Sequence, residues 1–124
     1  MRLTRLGDDY AVARAAPATP IPAGLFDGDG FVTVSRTEDE LSIVAPAKRL
    51  PMMEKIETGW TVFKLHGPFA FDEVGIVAGL SRALAEREIG IFVISTYDTD
   101  YILVKASDAE AATTAWRDQG HDVG

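Results

Sequence analysis

Two histidines, His66 and His121, and the absence of cysteine limit what this chain can do by side-chain chemistry. Without a thiol there is no cysteine nucleophile, disulfide, iron–sulfur cluster or Cys-type zinc site. Gly79-Leu-Ser81 begins like the sharp turn that presents a hydrolase serine, but Ala83 stands where the second glycine belongs. Ser81 also falls inside a helical pattern, so it reads as a solvated helix serine rather than a nucleophile. No Gly-x-x-x-x-Gly-Lys or Gly-x-Gly-x-x-Gly segment is present to cradle a phosphate. Asp27-Gly-Asp29-Gly-Phe31 starts like a calcium loop, with Glu38 at the twelfth position, yet Val32 occupies the sharp-turn position and Phe31 an oxygen-ligand position. A tight turn entering a strand is the better reading. Asp98-Thr-Asp100 puts two carboxylates on one turn without further oxygen ligands nearby, and turn stabilisation explains them. The sequence therefore predicts no catalytic residue, no metal and no cofactor.

The segment with the most to offer is Gly67-Pro-Phe-Ala-Phe-Asp-Glu-Val-Gly-Ile-Val77, which joins a strand to a helix. The first backbone N–H groups of that helix, near Val74, Gly75 and Ile76, have no intrahelical acceptor and suit a carboxylate or phosphate. Gly75 would let a ligand approach the backbone closely. Asp72 and Glu73 are equally accounted for as complements to the helix dipole. Gly75 and Gly79 each cost the helix about 1 kcal/mol relative to alanine. Close helix packing and ligand approach explain them equally well.

The elements that position this segment follow from periodicity. Trp60–His66 is strand-like and ends at Gly67-Pro68. An amphipathic helix is expected from Glu73 to Ile89, with Asp72 as N-cap, Ile76, Val77, Leu80, Ala83 and Leu84 on one face, and Gly90 as its left-handed stop. Ile91–Ile94 reads as a buried strand, and Tyr101–Lys105 as the strand after the Tyr97–Asp100 turn. Ser107-Asp-Ala-Glu110 has the form of a capping box, opening a helix to Gln119 with Gly120 as its stop and His121–Val123 as a last short strand. The order is βαββαβ. Residues 1–58 hold five of the six prolines and repeat the order in shrunken form. Tyr10–Arg14 is a strand, Pro17–Leu25 allows at most a helical turn, Phe31–Arg36 and Leu41–Ala45 form a hairpin, and Ala47–Leu50 is a stub helix. Trp60, Phe63, Phe92, Tyr101 and Trp116 fall at spacings that suit packing. An α+β fold of two tandem ferredoxin-like (βαββαβ) units is expected, the first reduced, with domains at 1–58 and 59–124. One such unit buries little alone, so pairing of units or of chains is expected.

Composition narrows the function classes. The 124 residues carry 12 Lys+Arg against 19 Asp+Glu, a net charge of −7, which argues against nucleic-acid or anionic-membrane partners. Hydrophobic residues at 47% and charged residues at 25% fit a soluble globular protein. No apolar run reaches the roughly 18 residues of a membrane-spanning helix, and no apolar stretch follows Met1-Arg2-Leu3-Thr4-Arg5 as a signal peptide would require. A cytoplasmic location is expected.

Gly67–Ala78, followed by Ile91–Lys105 with Ile94-Ser-Thr-Tyr-Asp-Thr-Asp-Tyr-Ile-Leu-Val104 as its most specific part, resembles the ACT-domain family. The resemblance is to its small bacterial branch, related to the CASTOR arginine sensors and to aspartate kinase regulatory domains. Glu40–Pro46 is similar to the degenerate first unit of those proteins. The resemblance implies amino-acid binding at an interface between ACT units and a regulatory, not catalytic, role. By position it implies a ligand loop of Phe71, Asp72, Glu73, Val74, Gly75 and Ile76, with Thr96, Tyr97, Thr99 and Asp100 on neighbouring strand ends. Glu73 and Asp100 would receive an ammonium or a cationic side chain, making arginine and lysine the first ligands to test. A lone copy is expected to complete its interface as a homodimer. Assembly with a partner enzyme, without any amino acid, is the alternative.

Overall fold

A computed structural model describes residues 1–66 and 75–124. Their elements, in chain order, are β1 (Arg2–Arg5), β2 (Tyr10–Ala15), β3 (Thr33–Arg36), β4 (Leu41–Pro46), β5 (Lys55–Leu65), α1 (Ile76–Ala85), β6 (Phe92–Ser95), β7 (Asp100–Lys105), α2 (Ala109–Asp118) and β8 (Asp122–Val123). Short 3-10 turns occupy Ala47–Arg49 and Ala106–Asp108. The fold is mixed α+β, and it divides into two compact units, Gly7–Trp60 and Met1–Leu6 with Thr61–Gly124.

In the unit Gly7–Trp60 the strand order is β3-β4-β2-β5. β2 runs antiparallel to β4, from Tyr10 opposite Pro46 to Ala15 opposite Leu41. Strand periodicity turns Ala13, Ala15, Leu41, Ile43 and Ala45 onto one buried face. Where a helix would cover that face, the chain gives only a turn in which the Leu25 amide donates to the Pro22 carbonyl at 3.3 Å, and Leu25 itself, 1% exposed, completes the core. The prolines explain the reduction, since each removes a donor that a helix needs. Arg36 fixes the preceding loop by donating to the carbonyls of Pro17 and Thr19. Between the pairs Val12–Glu57 and Tyr10–Trp60, β5 holds one residue more than β2. This bulge contains Gly59 at φ +78°, a conformation that glycine adopts without a Cβ penalty.

In the other unit the order is β6-β7-β5-β1-β8. Leu3, Phe63, Leu65, Ile102, Val104 and Val123 from the strands pack with Leu80, Ala83 and Leu84 of α1 and Ala109, Ala112, Ala115 and Trp116 of α2. Trp116 is fully buried, meets Phe63 edge-on at 5.0 Å and donates its indole N–H to the Leu80 carbonyl at 3.1 Å.

Several local expectations change. β1 is a strand that the sequence pattern did not reveal, and it lies between β5 and β8, antiparallel to the first and parallel to the second. α1 is shorter than 73–89, and Glu88, not Gly90, takes the left-handed position after it, at φ +57°. The capping box does not form: Ser107 already lies in a 3-10 turn, and Asp108 precedes α2 with no side-chain cap bond. A chain that enters its helix already turning has no extended N-cap residue to reach back. The proposed N-cap Asp72 lies outside the described residues.

Candidate functional site

Of the ten residues singled out from sequence, Phe71, Asp72, Glu73 and Val74 lie outside the described residues. Gly75 precedes α1 at φ +83° and is exposed, and its carbonyl accepts the first helical bond from the Gly79 amide at 2.9 Å. Having no side chain, it gives α1 no side-chain cap, which leaves the amides of the first turn to be met by other groups. Ile76 is half-buried against the core of its unit.

Thr96, Tyr97, Thr99 and Asp100 are brought together at the β6–β7 turn. The Thr96 amide donates to the Thr99 carbonyl at 2.8 Å, the two hydroxyls are 2.8 Å apart, and the Thr99 amide donates to the Thr96 hydroxyl at 3.3 Å. The two threonines thus close the turn on itself. Asp100 sits directly opposite Ser95 and accepts a hydrogen bond from its hydroxyl. Ser95 is a partner that sequence reasoning missed, although pairing across a four-residue turn is the signal that could have found it. Tyr97 projects from the tip, 80% exposed. α1 carries the chain back along its unit and β6 returns it, so connectivity sets the β6–β7 turn and the N-terminus of α1 at one end of that unit.

His66 adjoins this end. Its Nε2 lies 2.6 Å from the Thr4 hydroxyl, and its amide donates to the Arg2 carbonyl. Loss of solvent, with the cations of Arg2 and Lys64 adding to it, holds its pKa below the ordinary histidine value. His121 is lowered as well, by burial first and then by the N-terminal ammonium. Among the described residues no three His, Cys, Asp or Glu side chains converge as metal ligands. No described helix is long and apolar enough to cross a membrane.

The two helix glycines can be told apart. Beyond its chain neighbours and the adjoining helix backbone, no described atom lies within 4 Å of a Cβ added at Gly79, and its backbone is ordinary helix. Gly79→Ala is therefore expected to raise stability by about 1 kcal/mol in urea denaturation. A loss instead would mean that the residue is kept small for packing. Gly75→Ala is expected to destabilise by about 1 kcal/mol, because its left-handed backbone is costly for a Cβ-bearing residue.

Comparison with known proteins places these elements. A family model for the ACT domain matches residues 55–118, and a second model, for an N-terminal domain, matches residues 8–53. The human cytosolic arginine sensor for mTORC1 subunit 1 is 34% identical over 98 residues, as is its Pongo abelii counterpart. That alignment takes in 73% of this chain but 29% of the sensor, so the chain spans under a third of that relative's length. Among solved structures, a protein of Agobacterium tumefaciens superposes with a TM-score of 0.90 at 43% identity, covering 99% of this chain and 91% of that one. The aspartate kinase of Clostridium acetobutylicum, an allosteric enzyme, shares the fold at a TM-score of 0.63 and 14% identity, over 88% of this chain and 32% of the kinase.

Proposed function

We propose a regulatory role for this chain, which belongs to the ACT-domain family: it binds a small amino acid and passes that event on through ligand-dependent assembly. The observation that carries the reading is the shared end of one unit, where a helix N-terminus that Gly75 cannot cap with a side chain and the acid-bearing β6–β7 turn come from different elements. The ligand's carboxylate would sit on the first-turn amides of α1, and its ammonium or cationic side chain would meet Glu73 and Asp100. Phe71, Asp72, Val74, Ile76, Thr96, Tyr97 and Thr99 would form the walls. Kinship with a cytosolic arginine sensor favours a cationic ligand and a cytoplasmic setting.

The strand orders β3-β4-β2-β5 and β6-β7-β5-β1-β8 support reading Gly7–Trp60 as a reduced ferredoxin-like unit and Met1–Leu6 with Thr61–Gly124 as a full one. β5 would end one and open the other. A homodimer would complete the pocket, and β6, which among the described residues pairs only with β7, offers its other edge for this. Ligand that prefers one arrangement of the two chains shifts the population toward it, with no chemical step.

Glu73→Ala and Asp100→Ala are each expected to weaken amino-acid binding by more than about 1 kcal/mol in calorimetric titration. Unchanged affinity in both would remove this pocket. The second reading, assembly with a partner enzyme without an amino acid, is favoured by apolar side chains left in solvent, Phe26 at 61% and Met52 at 96% exposure. A complex from lysate that forms regardless of added amino acids would support it.

A further inference from the structure

The unit Gly7–Trp60 has a second face. Because Ala13 and Ala15 of β2 point into its buried cluster, Val12 and Arg14 point the other way. Their register partners point with them, Ser42 on β4 and Lys55 and Glu57 on β5. These five residues and Glu40 line an open groove of about 340 Å³. That volume lies at the small end of ligand pockets, which run from about 300 to 1,000 Å³.

The charges in the groove form a pattern. Arg14 stands directly opposite Ser42 on one side and Lys55 on the other. Two cations therefore face each other across one strand spacing, with Cβ atoms about 5 Å apart, and the Glu54 carboxylate offsets part of their repulsion at Arg14. Arg14 donates to Glu54 at 3.0 Å and to the Asp39 carbonyl at 3.2 Å. These two partners orient the guanidinium and leave further N–H groups in its fork. Carboxylates flank the cationic row at both ends: Glu57 two residues beyond Lys55 on β5, and Glu40 two residues before Ser42. Each step of two residues is about 7 Å along the same face. Val12 gives the groove an apolar floor.

We infer that this groove binds a small zwitterion, an amino acid or a molecule of the same charge pattern, with its carboxylate between Arg14 and Lys55 and its ammonium at Glu57 or Glu40. Every residue involved lies within 7–60, so the site is separate from the one assigned to the β6–β7 turn and stands or falls independently of it. A cationic row alone would take any anion. The flanking acids select a ligand that also carries a positive charge.

The test is amide NMR on the full chain, titrated with each standard amino acid to about 20 mM, a range that reaches millimolar affinities. At least one amino acid is expected to give saturable shifts at residues 12–14, 42 and 55–57, with acetate at least about tenfold weaker. Lys55→Glu is expected to weaken that binding about tenfold or more, leaving any shifts at residues 75–76 and 96–100 as they were. Lys55 is exposed, so the variant keeps the fold. The inference is overturned if no amino acid gives saturable shifts at the groove residues, if acetate binds there as tightly, or if Lys55→Glu leaves the affinity unchanged.

Discussion

Removing residues 1–6 is expected to unfold the unit that contains both α-helices, at a cost of more than about 5 kcal/mol. Leu3 is fully buried in the core of that unit, and truncation of a buried leucine alone costs about 2–5 kcal/mol. β1 also supplies backbone bonding on both of its edges. Leu6 donates to the Val62 carbonyl at 2.9 Å, and the Arg2 carbonyl accepts from His66 at 3.0 Å. On the other edge Arg5 donates to Gly124 at 2.7 Å, while the carbonyls of Met1 and Leu3 accept from Asp122 and Gly124, both at 2.9 Å. Each such bond is worth about 1 kcal/mol, and without β1 the strand β8 has no neighbour in the sheet among the described residues. Urea denaturation followed by amide NMR reads the effect directly. Leu3→Ala is the graded version, with a loss of about 2–5 kcal/mol. A shortened chain whose unit keeps its stability within about 1 kcal/mol would contradict this account of β1.

Trp116→Ala is expected to cost about 3–5 kcal/mol, the range for deleting a large buried aromatic. The indole fills the space between α1, α2 and β5, makes an edge-on contact with Phe63 at 84°, and finds an acceptor for its buried N–H in the Leu80 carbonyl. Thermal unfolding should show a fall in Tm of more than about 10 °C. Trp116→Phe keeps the ring contact and loses the hydrogen bond, so its cost should be nearer 1–3 kcal/mol. Equal and small effects of the two substitutions would mean that Trp116 does not organise the core.

Much of this architecture was legible because its elements carry strong periodicity. The apolar spacing of Ile76, Val77, Leu80, Ala83 and Leu84 gave a helix face, of which Leu80, Ala83 and Leu84 are buried and Ile76 and Val77 half-buried. The Leu41–Ala45 run with its Thr37–Glu40 turn gave a hairpin, and β3 and β4 pair there. β1 was not legible, since a four-residue strand between other strands needs only one buried side chain, and Leu3 among Arg2, Thr4 and Arg5 gives no alternation to read. The end of α1 was misread for a related reason. Gly90 is the residue type that suits a left-handed position, but Ile89 has to return to the core, where it is 8% exposed, and this puts the reversal at Glu88. At the candidate site, the sequence supplied the turn residues but not their internal bonding. That Thr96 and Thr99 bond each other and that Ser95 holds Asp100 depends on strand register, which composition does not carry.

Amino-acid binding by this ACT-family chain is expected to show in its thermal stability. The most direct measurement is thermal unfolding of the purified full chain against each standard amino acid at millimolar concentration. One amino acid, with arginine and lysine foremost, is predicted to raise the melting temperature by several degrees, since a ligand at about 100 times its Kd adds roughly 2.7 kcal/mol. A flat response across all of them would contradict amino-acid binding and leave assembly with a partner protein as the function.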